Sequence, residues 1–372
     1  MRTLLTFLAA NLLLAGAALA DGKKYDFEFT NVVDSNSGFS DFQGFPAINQ
    51  AGSVAFVAVK SGDGPGVFRV QEKNVTTIAS EKDGLQFFGN DPAINASGVV
   101  AFGATISSGS RAIFTGNGQS KNLIVDAVPS GLAKNGVGSP SINAAGTVAF
   151  QSLRNERGFP SSIFTGNGGP LTTVLSTSST GFSGFANVAI NDAGTIGFTG
   201  NLVDGTTGVF IGTSKPVEIV SSRTNPELAF GFTDPVINNA GTIAVVGFRT
   251  DGRLDVITGN ARGITLRNDP NNPPFINSEH PSMNNLGAVA FFAIANPDPN
   301  APTGIFLEAS GGHSLIPVIR PGDKLFGSTV STVDMGRFAL NDRFELVFQY
   351  TLQNGLSGIA IAAFHGEKEG DI

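Results

Sequence analysis

One short pattern, Asn-x-x-Gly followed by Phe after three more residues, returns seven times along this chain, starting at Asn49, Asn95, Asn143, Asn191, Asn238, Asn284 and Asn341. The steps between successive copies are 46, 48, 48, 47, 46 and 57 residues. Self-similarity at that period predicts a repeat architecture, in which each unit buries its apolar face against its neighbours. The copies depart from the pattern at two places, Val245 in place of Phe and Phe344 in place of Gly.

Inside a unit the period is that of strands. In the first, Pro46-Ala47-Ile48 is extended, Asn49-Gln50-Ala51-Gly52 turns, and Ser53 to Val59 alternates small and large side chains as a half-buried strand does. Gly66 to Val70 and Val75 to Ala79 supply a third and a fourth strand. Four antiparallel strands in about 47 residues is the content of a β-propeller blade. The motif Asn and Gly have a turn explanation: the Asn side chain accepts from backbone two residues on, and Gly takes the left-handed conformation that closes a bulged hairpin. Phe and the residue two before it, such as Val100 and Phe102 or Ile196 and Phe198, share one strand face and are predicted to pack blade on blade. Ile-Phe-Thr-Gly-Asn-Gly, at 113–118 and again at 163–168, predicts the hairpin from third to fourth strand.

The seventh unit lacks a fourth strand, because only a polar tail, residues 365–372, follows Gly358 to Phe364. At the other end Tyr25 to Asp34 alternates as a strand should. These complementary halves predict an all-β, seven-bladed propeller over residues 21–364, closed by the N-terminal strand pairing in the last blade. Closure removes the unpaired edges that a linear solenoid would have to cap. Over residues 25 to 364 the chain resembles the secreted bacterial tandem-repeat proteins built from Asn-x-x-Gly-x-x-x-Phe units, a family with varied C-terminal anchors. The resemblance implies an extracellular propeller and no defined activity, and no hydrophobic anchor follows Phe364.

Residues 1–20 read as a signal peptide: Arg2, an apolar core from Leu4 to Ala15, and Ala18-Leu19-Ala20 before the cleavage point. A membrane anchor is the competing reading, at the short limit for a span. With no cysteine, the exported chain is expected to hold together by core burial rather than disulfides. A net charge of −7 with 23 Lys and Arg argues against nucleic acid as a partner, since phosphate contacts need clustered cations.

Candidate chemistry is sought where the repeats differ. Four residues before each motif Asn, on the strand expected to line the channel, stand Phe45, Asp91, Ser139, Asn187, Asp234, His280 and Arg337. Asp91, Asp234, Glu279, His280 and Arg337 are the candidate ligand-binding residues at the channel mouth: carboxylate, imidazole and guanidinium together suit an anionic or sugar ligand, or an acid and a base. Three histidines at distant positions give no zinc spacing, and the acidic turns at 61–64 and 201–205 lack a calcium-loop ligand set, so neither metal nor cofactor is expected. The extra residues of the long sixth step fall between Leu307 and Met335 as a lid or a longer hairpin. Without a nucleophile motif, the reading is a secreted or periplasmic, monomeric, non-enzymatic scaffold for an extracellular protein or glycan, not inserted in a membrane once the leader is cleaved. The alternative is a glycan hydrolase or lyase working through the channel-mouth residues, with Asp91 and Asp234 as carboxylates.

Overall fold

The alternation of small and large side chains on either side of each Asn-x-x-Gly turn produces sheets whose two faces are both buried. The first unit folds as Phe39–Ile48, Val54–Lys60, Gly64–Gln71 and Asn74–Ser80, hydrogen-bonded in that order. The computed structural model describes residues 25–154, 161–228, 231–252, 254–267, 277–294, 303–309 and 315–367. Within them the chain forms seven antiparallel sheets, the blades of a seven-bladed propeller, each with its first strand innermost. The leader read at 1–20 lies outside the described residues.

Blade 7 is completed by the N-terminus, as the sequence predicts. Tyr25–Asp34 pairs antiparallel with Ser357–Glu367, from Tyr25 opposite Glu367 to Asp34 opposite Gly358. Tyr350, on the neighbouring strand, donates its hydroxyl to Asn31 Oδ1 at 3.1 Å. The extra residues before blade 7 form a short hairpin rather than a lid: Lys324–Leu325 pairs with Ser328–Asp334 across a turn at Phe326 and Gly327, both at positive φ, and Leu325 is buried.

The motif Phe is the centre of each blade. Phe102 lies opposite Phe114 on the adjacent strand, Phe150 opposite Phe164 and Phe198 opposite Phe210, their rings stacked with centroids 5.5 to 5.7 Å apart. Such pairs add roughly 0.5–1.5 kcal/mol each beyond area burial. In blade 5 the substitute Val245 faces Ile257, keeping the layer apolar. The other strand face is small, and it meets the next blade's Phe: Ala55 and Val57 of blade 1 share a core with Val100 and Phe102 of blade 2, and Ala149 of blade 3 with Ile196 and Phe198 of blade 4.

The motif Asn does more than turn. In the first repeat Asn49 Oδ1 accepts from the N–H of Ala51 at 3.0 Å and of Ser53 at 2.9 Å, the turn bonds expected. Its Nδ2 donates to the backbone carbonyl of Asn95 in blade 2, at 2.9 Å. Asn95 does the same to Asn143, Asn143 to Asn191, Asn191 to Asn238, Asn238 to Asn284 and Asn284 to Asn341, at 3.0 to 3.4 Å. Asn341 then donates to Asn49 at 3.1 Å, closing a circle of seven buried amides around the axis. The residues that follow five of these Asn add an outer arc: Asp192 accepts from Asn239, Asn285 donates to Asp342, and Asp342 N–H donates to Gln50 Oε1.

Candidate functional site

The Asn turns close one end of the axis, so the ring of positions four residues earlier sits toward the opposite end. Each inner strand enters from that end, and the proline it carries in five repeats, Pro46, Pro92, Pro140, Pro235 and Pro281, removes a donor that an innermost edge strand does not need. Val188 and Phe338 replace it in repeats 4 and 7.

Arg337 does not present its guanidinium at this mouth. It is 3% exposed, crosses the axis, and donates from Nη1 to the Val188 carbonyl at 3.0 Å and from Nη2 to the Pro140 carbonyl at 3.4 Å. Its Cζ lies 4.7 Å from the centre of the Phe338 ring, a cation–π contact. Phe338 in turn packs on the core between blades 2 and 3 and on that between blades 5 and 6. Together the two side chains plug the axis. Nε of Arg337 is buried with no hydrogen-bond partner among the described residues, and the two backbone carbonyls carry its compensation for lost hydration.

The remaining candidates stay at the mouth. Asp91 is half-buried and accepts from Ser139 Oγ of the next blade at 3.0 Å. Asp234 is half-buried too, and lies three blades from Asp91. Asp91, Asp234 and Arg337 make no hydrogen bond or ion pair with one another among the described residues, so the structure does not gather them into one constellation. Glu279 is on the strand Asn277–Met283, but its side chain, like that of Asn187, lies outside what is described. His280 has a backbone φ of 53°, a left-handed conformation that a non-glycine residue adopts at a cost of order 1–3 kcal/mol and that clusters at functional sites. It reaches past blade 7 to set its ring 4.2 Å, centroid to centroid, from Phe45 of blade 1.

Phe45 also forms a wall of a cleft that the ring of seven positions does not reveal. A space of about 370 Å³ opens between blades 7 and 1, lined by Phe42, Phe45, Asn90, Asp334, Gln349 and Tyr350, with Thr332 and Thr351 at its edge. Hydrogen bonds to backbone carbonyls fix its shape. Phe45 N–H donates to the Asn90 carbonyl at 2.9 Å, and Gln349 Nε2 donates to the Phe42 carbonyl at 3.0 Å. Two glycines allow the approach: a Cβ on Gly44, at φ 64°, would collide with the Asn90 backbone, and one on Gly336 with the Cβ of Phe45. Burial, and then the charge of Asp34, push the Tyr350 hydroxyl well above its ordinary value, so the cleft keeps it neutral. Three residues before Asn90, Phe87 stands 76% exposed at φ 46°, its carbonyl held by Arg111 Nη1 at 3.0 Å. Burial lowers the pKa of the Arg111 guanidinium.

A family of unknown function, DUF7453, matches residues 32–272. The chain belongs to this family. No curated protein sequence matches it. Among solved structures this DUF7453 member resembles the oligogalacturonate lyase of Vibrio parahaemolyticus, with a TM-score of 0.61 at 12% identity over 95% of this chain and 97% of that one. An oligogalacturonate lyase in complex with manganese gives 0.60 at 10% identity, over 95% and 96%. A puromycin-hydrolyzing peptidase of Mycobacterium tuberculosis gives 0.56 at 12%, over 92% of this chain and 58% of that one. At these identities the likeness is one of fold.

The comparisons correct one expectation. The lack of a nucleophile motif favours a non-enzymatic scaffold, whereas two propellers that share this architecture over nearly their whole length are enzymes by name, both oligogalacturonate lyases. A propeller builds its chemistry from single residues on different blades, which leaves no contiguous motif to read. Among the described residues no group of three or more His, Cys, Asp or Glu side chains is gathered to hold a metal ion, so the manganese of the one lyase has no counterpart ligand set in them. The cleft residues Asn90, Asp334 and Gln349 were missed because they fall outside the repeated position. The signal that points to them is local: Gly44 and Gly336 occupy the same repeat position, which is glycine again only at Gly138 and carries a side chain in the other four repeats.

Proposed function

We propose that this protein is a glycan-cleaving enzyme, with the substrate seated in the cleft between blades 7 and 1 and the reacting bond beside His280. The observation that carries the reading is the composition of that cleft: the half-buried ring of Phe45, backed by the buried Phe42 and Tyr350, beside the amides of Asn90 and Gln349 and the carboxylate of Asp334. A sugar ring has apolar C–H faces and a rim of hydroxyls, and a concave site with aromatic walls and a few placed polar groups complements both. Phe87 offers a further aromatic face at the rim.

Elimination suits the site better than hydrolysis. Hydrolysis needs two carboxyl groups about 5–9.5 Å apart across the bond, and Asp91 and Asp234, three blades apart, are not held as a pair by any contact. Elimination needs one base. In a uronate unit, the His280 imidazole removes the proton on the carbon next to the carboxyl group, the electron pair becomes a carbon–carbon double bond, and the bond to the leaving oxygen breaks. The imidazolium so formed returns the proton to that oxygen. The fold shared with an oligogalacturonate lyase supports this choice. Export through the leader read at residues 1–20 belongs to the same proposal.

The test is to incubate the purified protein with acidic and neutral polysaccharides, following ultraviolet absorbance of unsaturated products and, separately, new reducing ends. Absorbance gain on uronate polymers, lost about 100-fold or more in kcat in His280→Ala with the circular dichroism spectrum unchanged, is the expected result. Reducing ends without absorbance would assign hydrolysis instead. No turnover on any polymer, or full activity in His280→Ala, would overturn the reading.

A further inference from the structure

A second cleft, of about 380 Å³, lies between blades 3 and 4 at the end of the propeller where the Asn turns sit, opposite the mouth discussed above. Its origin is a local break in the repeat. At three other junctions the end of a blade's third strand rests on the preceding blade's outer strand. A Cβ on Gly116 would lie 2.9 Å from Ile78 Cγ2, on Gly166 3.4 Å from Ile124 Cγ2, and on Gly259 2.7 Å from Ile219 Cγ2. A Cβ on the equivalent glycine of blade 4, Gly212, would have its three nearest neighbours in Lys215 and Pro216 of its own turn. It has turned to a φ of 115°, which the other three have not, and Val174 replaces isoleucine on the facing strand. The strand end lifts away and the space between the blades opens.

Hydroxyls line that space. Thr147, Thr165, Thr172, Thr213 and Ser214 border it, and none of their side chains makes a hydrogen bond among the described residues. Val174 and the threonine methyls supply apolar surface between them, and no charged side chain takes part. Hydroxyls both donate and accept, so an uncharged ligand with alternating hydroxyl and C–H surface satisfies the lining. A charged ligand finds no counter-ion there. Its volume falls in the roughly 300–1,000 Å³ range of ligand pockets.

We infer that the cleft between blades 3 and 4 is a binding site for a neutral saccharide unit, separate from the cleft between blades 7 and 1. The inference stands whether or not the protein cleaves glycans, since no residue is shared between the two sites. A site at each end of the axis gives the protein two independent contacts with a glycan.

The experiment is saturation-transfer NMR and calorimetric titration of the full-length protein with glucose, maltotriose and cellotriose, with trigalacturonate as the charged control. Saturable binding of at least one neutral sugar is expected, weakened about fivefold or more in Thr165→Val and in Thr213→Val and abolished in Val174→Phe, which fills the space. Thermal unfolding of each variant shows that it is folded. No saturable binding of any neutral sugar, or equal affinity in Val174→Phe, would overturn the inference.

Discussion

Replacing Asn49 separates the two jobs of the motif residue, the turn and the bond between blades. Asn49→Ala removes three hydrogen bonds: those accepted from Ala51 and Ser53 and that donated to the Asn95 carbonyl. Each is worth about 1 kcal/mol net, and a buried donor left without a partner costs about 1–3 kcal/mol. Ser53 is buried, so its N–H is such a donor, whereas the Asn95 carbonyl still accepts from Gly98. The expected loss is about 3–5 kcal/mol. Asn49→Asp keeps both acceptor bonds of the turn but sets a carboxylate oxygen against a carbonyl oxygen in a buried place, for about 2–4 kcal/mol at neutral pH. Burial and the facing carbonyl raise the pKa of the introduced carboxyl above its unfolded value of about 3.9. The sign follows: the protonated form regains a donor toward Asn95, so the variant's stability relative to the parent is highest below the unfolded value and is lost as pH rises through the folded one. Urea unfolding at neutral pH and near pH 4 measures both numbers. An Asn49→Asp protein as stable as the parent at neutral pH, or one with the same deficit at both, would refute the stabilising role of the ring.

Other positions give sharper contrasts than magnitudes. Phe344 occupies the turn glycine's place at φ 57°, as the glycines do at 75° to 85°, and its ring packs 6.0 Å from Phe364; Phe344→Gly should exceed Phe344→Ala by about 1 kcal/mol in urea unfolding, because both lose the ring and only glycine relieves the backbone. Arg337→Ala should cost about 3–5 kcal/mol through the void at the axis, and Arg337→Met markedly less, since methionine refills the space; equal losses would show that the two carbonyl bonds matter more than the plug. The folded-state pKa of Tyr350 is raised, so its contribution is intact below its unfolded value of about 10 and is lost as pH climbs toward the folded one. Alkaline titration of the melting temperature should fall steeply above about pH 10 in the parent and less so in Tyr350→Phe.

The blades were legible because they rest on local rules: turn chemistry at Asn and Gly, alternation along Ser53 to Val59, and a missing strand at one end answered by Tyr25 to Asp34 at the other. The register of a strand fixes which face a residue occupies, so the burial of Val100 and Phe102 followed from spacing. Side-chain reach does not follow from register. Arg337 stands at a mouth position, yet its long side chain runs across the axis to carbonyls contributed by blades 3 and 4, and no property of its own repeat announces them. The second bond of Asn49 escaped for a different reason: the turn alone accounted for the residue, and the carbonyl it meets is 46 residues away. His280 was legible as an odd residue in a repeated place, but its partner Phe45, and the cleft behind it, depend on how blades 6, 7 and 1 converge.

The pairing of Tyr25 with Glu367 has a consequence for the order in which the molecule is made. The strand Tyr25–Asp34 waits for Ser357–Glu367 to be made, so a nascent chain that stops short of that strand cannot close the ring, and both blade faces at the gap stay wet until it does. Once the strand docks, no unit is terminal. Each blade has two neighbours, fraying has nowhere to begin, and the clasp of blade 7 becomes the place where forced or proteolytic opening must start.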